Sequence, residues 1–77
     1  MNLKTLTAPE RAIVEWQYGM SGDFARTLMD AIARADTTNL NLLRLGFPNE
    51  VEGFERFSRE SGWWERVQSK AQTSEAA

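Results

Sequence analysis

The chain has 77 residues, of which 42% are apolar and 26% charged, and its formal net charge is −2. This composition is typical of one small soluble domain and is too apolar for a disordered chain. The sequence has no cysteine and no histidine, which excludes disulfides, thiolate nucleophiles, Cys/His zinc sites and imidazole acid–base catalysis. No apolar run approaches the roughly 18 residues of a membrane span, and the first residues form no signal-peptide core, so we expect a cytoplasmic protein.

The first predicted helix covers residues 8–18. Thr7 and Glu10 fit a capping box, in which each side chain accepts a hydrogen bond from the other residue's amide. Pro9 lies in the first turn, where its missing N–H costs nothing, and Gly19 is a natural stop. The apolar side of this helix is predicted to contain Ile13, Trp16 and Met20.

The second predicted helix has a continuous apolar stripe with i, i+4, i+7, i+8, i+11 spacing. The stripe consists of Phe24, Leu28, Ala31, Ile32 and Ala35. Either Ser21 or Asp23 can cap this helix, and Asp30 and Arg34 are spaced for an ion pair. The polar segment 36–39 predicts a break after the stripe; a continuous helix to Leu45 is the alternative.

A third helix is predicted around four leucines, and a fourth begins at Pro48. The leucines are Leu40, Leu42, Leu43 and Leu45. Between the two helices, Gly46 fits a left-handed C-terminal position, which would bring Phe47 against Leu42. Gly53 lies inside the fourth helix, where it costs about 1 kcal/mol relative to alanine, so we expect it to allow another backbone to approach closely.

The last helix is predicted after Ser61-Gly62, which caps or kinks its entry, and it contains Trp63 and Trp64. We expect residues 1–71 to form a single helical domain and residues 72–77 to be a frayed C-terminal tail. Period-2 alternation of apolar residues is missing, which argues against strands. The sequence therefore predicts an all-α protein, a compact bundle of four to five short helices.

Carboxylates are the only candidate catalytic groups. Glu52 and Glu55 are spaced to share one helix face, with Glu50 nearby, but a metal or glycosidase-like site needs such groups in a concave, partly dry pocket. Short helices packed around eight aromatic residues leave no room for that pocket. A solvated helix face explains the carboxylates better, and we predict no catalytic, cofactor or metal site and no enzyme.

The segment 50–65 is the predicted partner-binding surface. It holds five acidic and two basic residues, the wrong sign for a phosphate-binding face, and ion pairing within the chain is the simpler interpretation of its charges. Adjacent helical residues point about 100° apart, so one of the two tryptophans is expected in the core and the other at the surface; both packing on the bundle is the alternative. Exposed tryptophan among charges is typical of an interface. The predicted contact residues are Glu50, Glu52, Glu55, Arg56, Arg59, Trp63 and Trp64.

Several motifs in residues 18–57 resemble small helical proteins encoded by phages and prophages. They are Ala35-Asp36, Asn39-Leu40 and the segment Gly-Phe-Pro-Asn-Glu-Val-Glu-Gly-Phe at 46–54. Asn49 departs from the pattern, which has an acid there, and Gly53 replaces an alanine. The resemblance implies a helical fold and a mobile-element setting, and it implies no active site.

By size and setting, such a chain is similar to anti-defence inhibitors, including anti-CRISPR proteins. We therefore predict a nonenzymatic protein-binding module that occludes a host protein or ribonucleoprotein complex. A phage DNA-binding regulator of helix-turn-helix type, or a small structural subunit, is the alternative, and direct DNA binding is the less favoured mode. Because so small a core yields only about 3–5 kcal/mol, we also expect a homodimer, or an equivalent apolar patch covered by the partner.

Overall fold

The computed structural model describes the backbone of residues 3–76 and the side chains of residues 3–72. The described residues contain no strand and form five α-helices: α1 (Ala8–Gln17), α2 (Gly22–Arg34), α3 (Thr37–Gly46), α4 (Pro48–Arg59) and α5 (Trp63–Ala76). The predicted all-α bundle is confirmed. Helix α5 continues to Ala76 through most of the segment predicted as a tail, and Ala77 lies outside the described residues.

Side-chain caps define the starts of α1 and α3. The predicted capping box is present: the Thr7 amide donates to Glu10 at 2.8 Å, and the Glu10 amide donates to the Thr7 hydroxyl at 3.3 Å. Asp36 caps α3 by accepting from the Asn39 amide at 2.8 Å. The chain therefore breaks between α2 and α3, as the polar segment predicts, and the continuous helix is excluded.

The junction between α3 and α4 differs from the prediction. Gly46 is the last helical residue of α3 and does not take a left-handed conformation. Phe47, with φ −134° and ψ 62°, makes the turn, because Pro48 disfavours helical backbone in the residue before it. The chain therefore turns here without a glycine. The ring of Phe47 lies 6.2 Å from the ring of Phe24, and this contact connects the start of α4 with α2.

Helices α1 and α4 form the most extensive helix pair in the bundle. Gly53 is buried at their crossing, where a Cβ would lie 2.5 Å from the carbonyl oxygen of Pro9 and 3.0 Å from Cγ1 of Ile13. Real Cβ atoms are essentially never found within 3.0 Å of a backbone atom. The expectation that Gly53 admits another backbone is confirmed.

The core is small and wholly apolar. Its fully buried side chains come from every helix except α3, and they are Ile13, Val14, Met29, Ile32, Val51, Trp63, Val67 and Ala71. Half-buried rings from α1 and α4 pack against this cluster. Trp63 is 3% exposed, so the first tryptophan of the pair packs in the core and the second lies nearer the surface.

Two apolar sides lie elsewhere than predicted. Met20 in the α1–α2 turn is 54% exposed, while Val14 takes its place in the core. In α2 the buried side is centred on Met29 and Ile32, so Phe24, at the start of the predicted stripe, is 71% exposed. Of the predicted stripe, Ile32 lies in the core and Leu28 packs against it, while Phe24 and Ala31 are exposed on the side of α2 away from the core.

Candidate interaction surface

An apolar surface lies where α2 and α3 diverge. These consecutive helices barely contact each other, because α3 packs against α4 while α2 packs against α1 and α4. The side chains left between them are mostly apolar and solvent-exposed. We call this surface the α2–α3 face and define it by Phe24, Ala31, Ala35, Leu42 and Leu45.

A groove runs through the α2–α3 face. It has a volume of about 420 Å³, and its walls are Ala31, Arg34, Ala35, Asn39, Leu42 and Leu43. The two alanines form a low wall on α2, and the leucines form a higher wall on α3. Leu42 is 59% exposed and Leu45, at the end of α3, is 82% exposed. Side chains of this size exposed side by side are typical of a surface that another molecule covers.

Sequence reasoning missed the α2–α3 face, although a signal for it was present. Four leucines within six residues of α3 cannot share one side of a helix that turns by about 100° per residue. Leu40 and Leu43 point toward the bundle and are half-buried, so Leu42 and Leu45 must point away. Counting the leucines without their angles concealed this second apolar side.

The predicted surface on α4 and α5 contains a row of aromatic rings. Phe57 lies edge-on to Trp64 at 5.5 Å and to Trp16 at 6.0 Å, and Trp64 lies 6.1 Å from Tyr18. Trp64 is half-buried, because it contacts these rings and also packs against the core cluster. Of the two tryptophans predicted to meet a partner, only Trp64 is accessible, because the Trp63 indole is enclosed in the core.

The charges predicted to meet a partner are largely paired within the chain. Arg56 contacts Glu60 at 3.0 Å and Glu52 at 3.8 Å, and Arg66 also binds Glu60. Arg59 and Trp64 line a shallow depression of about 270 Å³, whereas Glu50 lies half-buried in the first turn of α4. The structure therefore separates the predicted residues into a core side chain, an ion-pair network and a small exposed remainder around Trp64.

Glu55 and Arg44 form the strongest ion pair of this region. The two terminal guanidinium nitrogens of Arg44, Nη1 and Nη2, donate to the Glu55 carboxylate oxygens at 2.6 and 2.8 Å. This ion pair attaches α3 to α4. The hydrogen bonds from Arg44 hold the pKa of Glu55 below its usual value. At Glu10, burial raises the pKa, but hydrogen bonds from Lys70 and from the Thr7 amide outweigh it, so this pKa is also lowered.

The free energy of unfolding is expected to fall as the pH is lowered. Both carboxylates have a depressed pKa in the folded chain, so their stabilising contribution is complete above the usual glutamate value of 4.5 and is lost as the pH falls through the folded values. Glu55→Gln should remove up to about 1 kcal/mol at neutral pH, because the pair is partly solvated. Urea unfolding between pH 7 and 3 measures both effects, and Glu65→Gln, on an exposed glutamate, is the control. An equally steep pH dependence in wild type and Glu55→Gln would contradict this assignment.

Within the described residues, no three acidic side chains are placed to hold a metal ion together. In the same part of the chain, every helix is too short or too polar to cross a membrane. Comparison with protein-family models, curated proteins and solved structures finds no match to this chain. The α2–α3 face and the surroundings of Trp64 are therefore interpreted on their own geometry.

Proposed function

We propose that the protein is a nonenzymatic protein-binding module and that the α2–α3 face is its principal contact surface. The observation that carries the proposal is the exposure of Phe24, Leu42 and Leu45 on two diverging helices that hold an apolar groove between them, with Leu42 in its wall. Large aromatic and aliphatic side chains around a concavity are the composition of an interface centre. Burying each of them is worth about 1.5–3 kcal/mol.

The charges around the α2–α3 face support a protein partner over a nucleic acid. Its floor and walls are apolar except for Arg34 and Asn39, and a single arginine supplies too little positive charge to hold a phosphate backbone. On α4, Arg56 is neutralised by Glu52 and Glu60. A protein surface with its own apolar side chains is the complement that this face requires.

The finer proposal concerns the target and the setting. On the resemblance of residues 18–57 to phage-encoded proteins, we propose that the module acts in the cytoplasm of a bacterial host as an anti-defence inhibitor of the anti-CRISPR type. It would occlude a host protein or ribonucleoprotein complex. Trp64, beside Arg59 and Glu65, supplies a second and more polar contact for such a target.

Phe24→Asp is expected to abolish partner binding without unfolding the domain. Phe24 is 71% exposed and makes its ring contact with Phe47 at the edge of the bundle, so a carboxylate there remains solvated in the free protein and becomes buried only in a complex. An aromatic anchor of an interface contributes about 2 kcal/mol, or roughly 30-fold in affinity. The measurement is affinity capture from a bacterial lysate with quantitative mass spectrometry, comparing proteins retained by the two forms.

Ala33→Asp is the matched control for that experiment. Ala33 is an exposed residue of α2 and lies about 180° around the helix from Phe24, so the variant has the same added charge on the opposite side. Circular dichroism establishes that both variants keep the helical fold. Proteins retained equally by the wild type and by both variants would contradict the proposed role of the α2–α3 face.

A further inference from the structure

We infer that the α2–α3 face binds a second copy of this chain, with the two α2 helices antiparallel across a two-fold axis. The inference rests on the proposed function in taking the α2–α3 face as a protein contact; with a second copy in this face, the surroundings of Trp64 would remain as the contact for a host target. On this side of α2 and its C-cap, Phe24 and Ala31 are exposed, while Leu28 and Ala35 are half-buried and Leu28 also packs against the core. In an antiparallel pair this order sets Phe24 opposite the partner's Ala35 and Leu28 opposite the partner's Ala31.

That register matches large side chains to small ones at every step. A two-fold interface uses the same patch on both chains, so the patch must contain both the projections and the recesses that receive them. Phe24 projects from one end of the face, and the low wall formed by Ala31 and Ala35 is the recess at the other. One chain therefore has both the projections and the recesses that a two-fold interface needs. Binding to an unrelated target would not require both on the same chain.

The groove provides the space for the second helix. Because α2 and α3 diverge, a helix laid against α2 also meets the exposed side of α3, where Leu42 lines the groove. By the two-fold symmetry, each α2 then lies in the groove of the other copy. The exposed leucines of α3 become part of a shared four-helix contact, in which large residues interdigitate with small ones.

Charge is also complementary in this register. Asp23 lies in the first turn of α2 and Arg34 in the last turn, so the antiparallel arrangement brings the acid of one copy beside the arginine of the other. No ion pair of Arg34 occurs within the residues that the structure describes, and the Asp23 side chain is 99% exposed beside Arg26. The macrodipoles of the two antiparallel α2 helices point in opposite directions, and their interaction also favours this arrangement.

A dimer interface of standard size would cover a small part of the surface of this chain. A standard interface buries about 800 Å² on each partner, which is about one sixth of the 4939 Å² surface of this chain. The α2–α3 face belongs to two of the five helices, and its main side chains are more than half exposed. Covering it would bury Phe24, Leu42 and Leu45, three of the five large hydrophobic side chains that are exposed among the described residues.

Single cysteines provide the decisive experiment, because the chain has no cysteine of its own. In the proposed register the two copies of residue 31 lie about 4.5 Å apart along the axis. With helices packed about 8 Å apart, the Cα atoms of the two copies of residue 31 are about 5.6 Å apart, within the range that a disulfide spans.

Ala31→Cys should therefore cross-link rapidly under mild oxidation at micromolar concentration. Ala33→Cys, on the opposite side of α2, should cross-link at least ten-fold more slowly, and Phe24→Asp added to Ala31→Cys should slow its cross-linking by a similar factor.

Sedimentation equilibrium of the wild type completes the test. A dimer at micromolar concentration that Phe24→Asp dissociates and Ala33→Asp leaves intact would support the inference. A monomer at all concentrations, or equal cross-linking of the two cysteine variants, would overturn it.

If the wild type is a monomer but Phe24→Asp still loses captured host proteins, the second copy is the wrong occupant and the proposed function stands. If Ala31→Cys cross-links as expected while captured proteins are indifferent to Phe24→Asp, the dimer stands and the face is not the contact for a host target.

Discussion

Trp63→Ala is expected to lower the free energy of unfolding by about 3–5 kcal/mol, the range for removing a large buried aromatic side chain. Trp63 is 3% exposed and belongs to the core cluster with Val51 and Val67. The substitution would leave a cavity the size of an indole ring. The core has few fully buried side chains that could move to fill it. A loss of this magnitude matches the whole stability expected of a domain this short, so the variant should be largely unfolded at room temperature.

The neighbouring Trp64→Ala is the matched control for that prediction. The same side chain is removed one residue along α5, but from a half-buried position whose contacts are the rings of Phe57 and Tyr18. We expect a loss of about 1–2 kcal/mol, from partial area burial and two aromatic contacts. Denaturant unfolding followed by circular dichroism measures both losses. Equal effects of the two substitutions would show that the assignment of Trp63 to the core is wrong.

Gly53→Ala is expected to destabilise the fold by about 1–3 kcal/mol, although alanine is the better helix former. The added Cβ would lie 2.5 Å from the Pro9 carbonyl oxygen, and a backbone atom cannot be moved by a rotamer change. Helix α1 would have to separate from α4 along the most extensive contact in the bundle. Thermal and urea unfolding should both show the loss.

Gly46→Ala is the control for Gly53→Ala. Gly46 is also helical and has an ordinary φ, but a Cβ there would meet nothing within 4 Å. Alanine at this position should raise the free energy of unfolding by up to about 1 kcal/mol. A Gly53→Ala variant as stable as the wild type would mean that α1 and α4 lie further apart than in this structure.

Local signals in the sequence were sufficient to define the helices. The capping box at Thr7, the polar break at Asp36 and the start of α4 at Pro48 each depend on a few neighbouring residues, and all three are present. The left-handed Gly46 was wrong because Pro48 constrains Phe47, so the turn is made one residue later. Most helix boundaries followed from local chemistry, and Pro48 accounts for the error at Gly46. The end of α5 did not follow, since this helix runs to Ala76 through a segment predicted as a frayed tail.

The orientation of each apolar side depended on contacts that the sequence does not contain. The stripe of α2 is wide enough to pack from more than one direction, and contacts with α1 and α4 select the side containing Met29 and Ile32. The pairing of Glu55 with Arg44 depends likewise on how α3 lies against α4. Of the predicted site residues, Trp63 is therefore a core residue and Glu52, Glu55 and Arg56 form ion pairs. Trp64 remains accessible, and Phe24, predicted for the core, became a candidate contact.

The pairing of α1 with α4 has a consequence for the order in which the chain folds. During synthesis, α1 meets its main partner α4 only after α2 and α3 have been made. Until α4 emerges, the apolar side of α1 has no stable place to pack, and closing the intervening loop opposes folding entropically. Folding should therefore be a late, concerted event, slower than in a bundle whose successive helices pair with their neighbours.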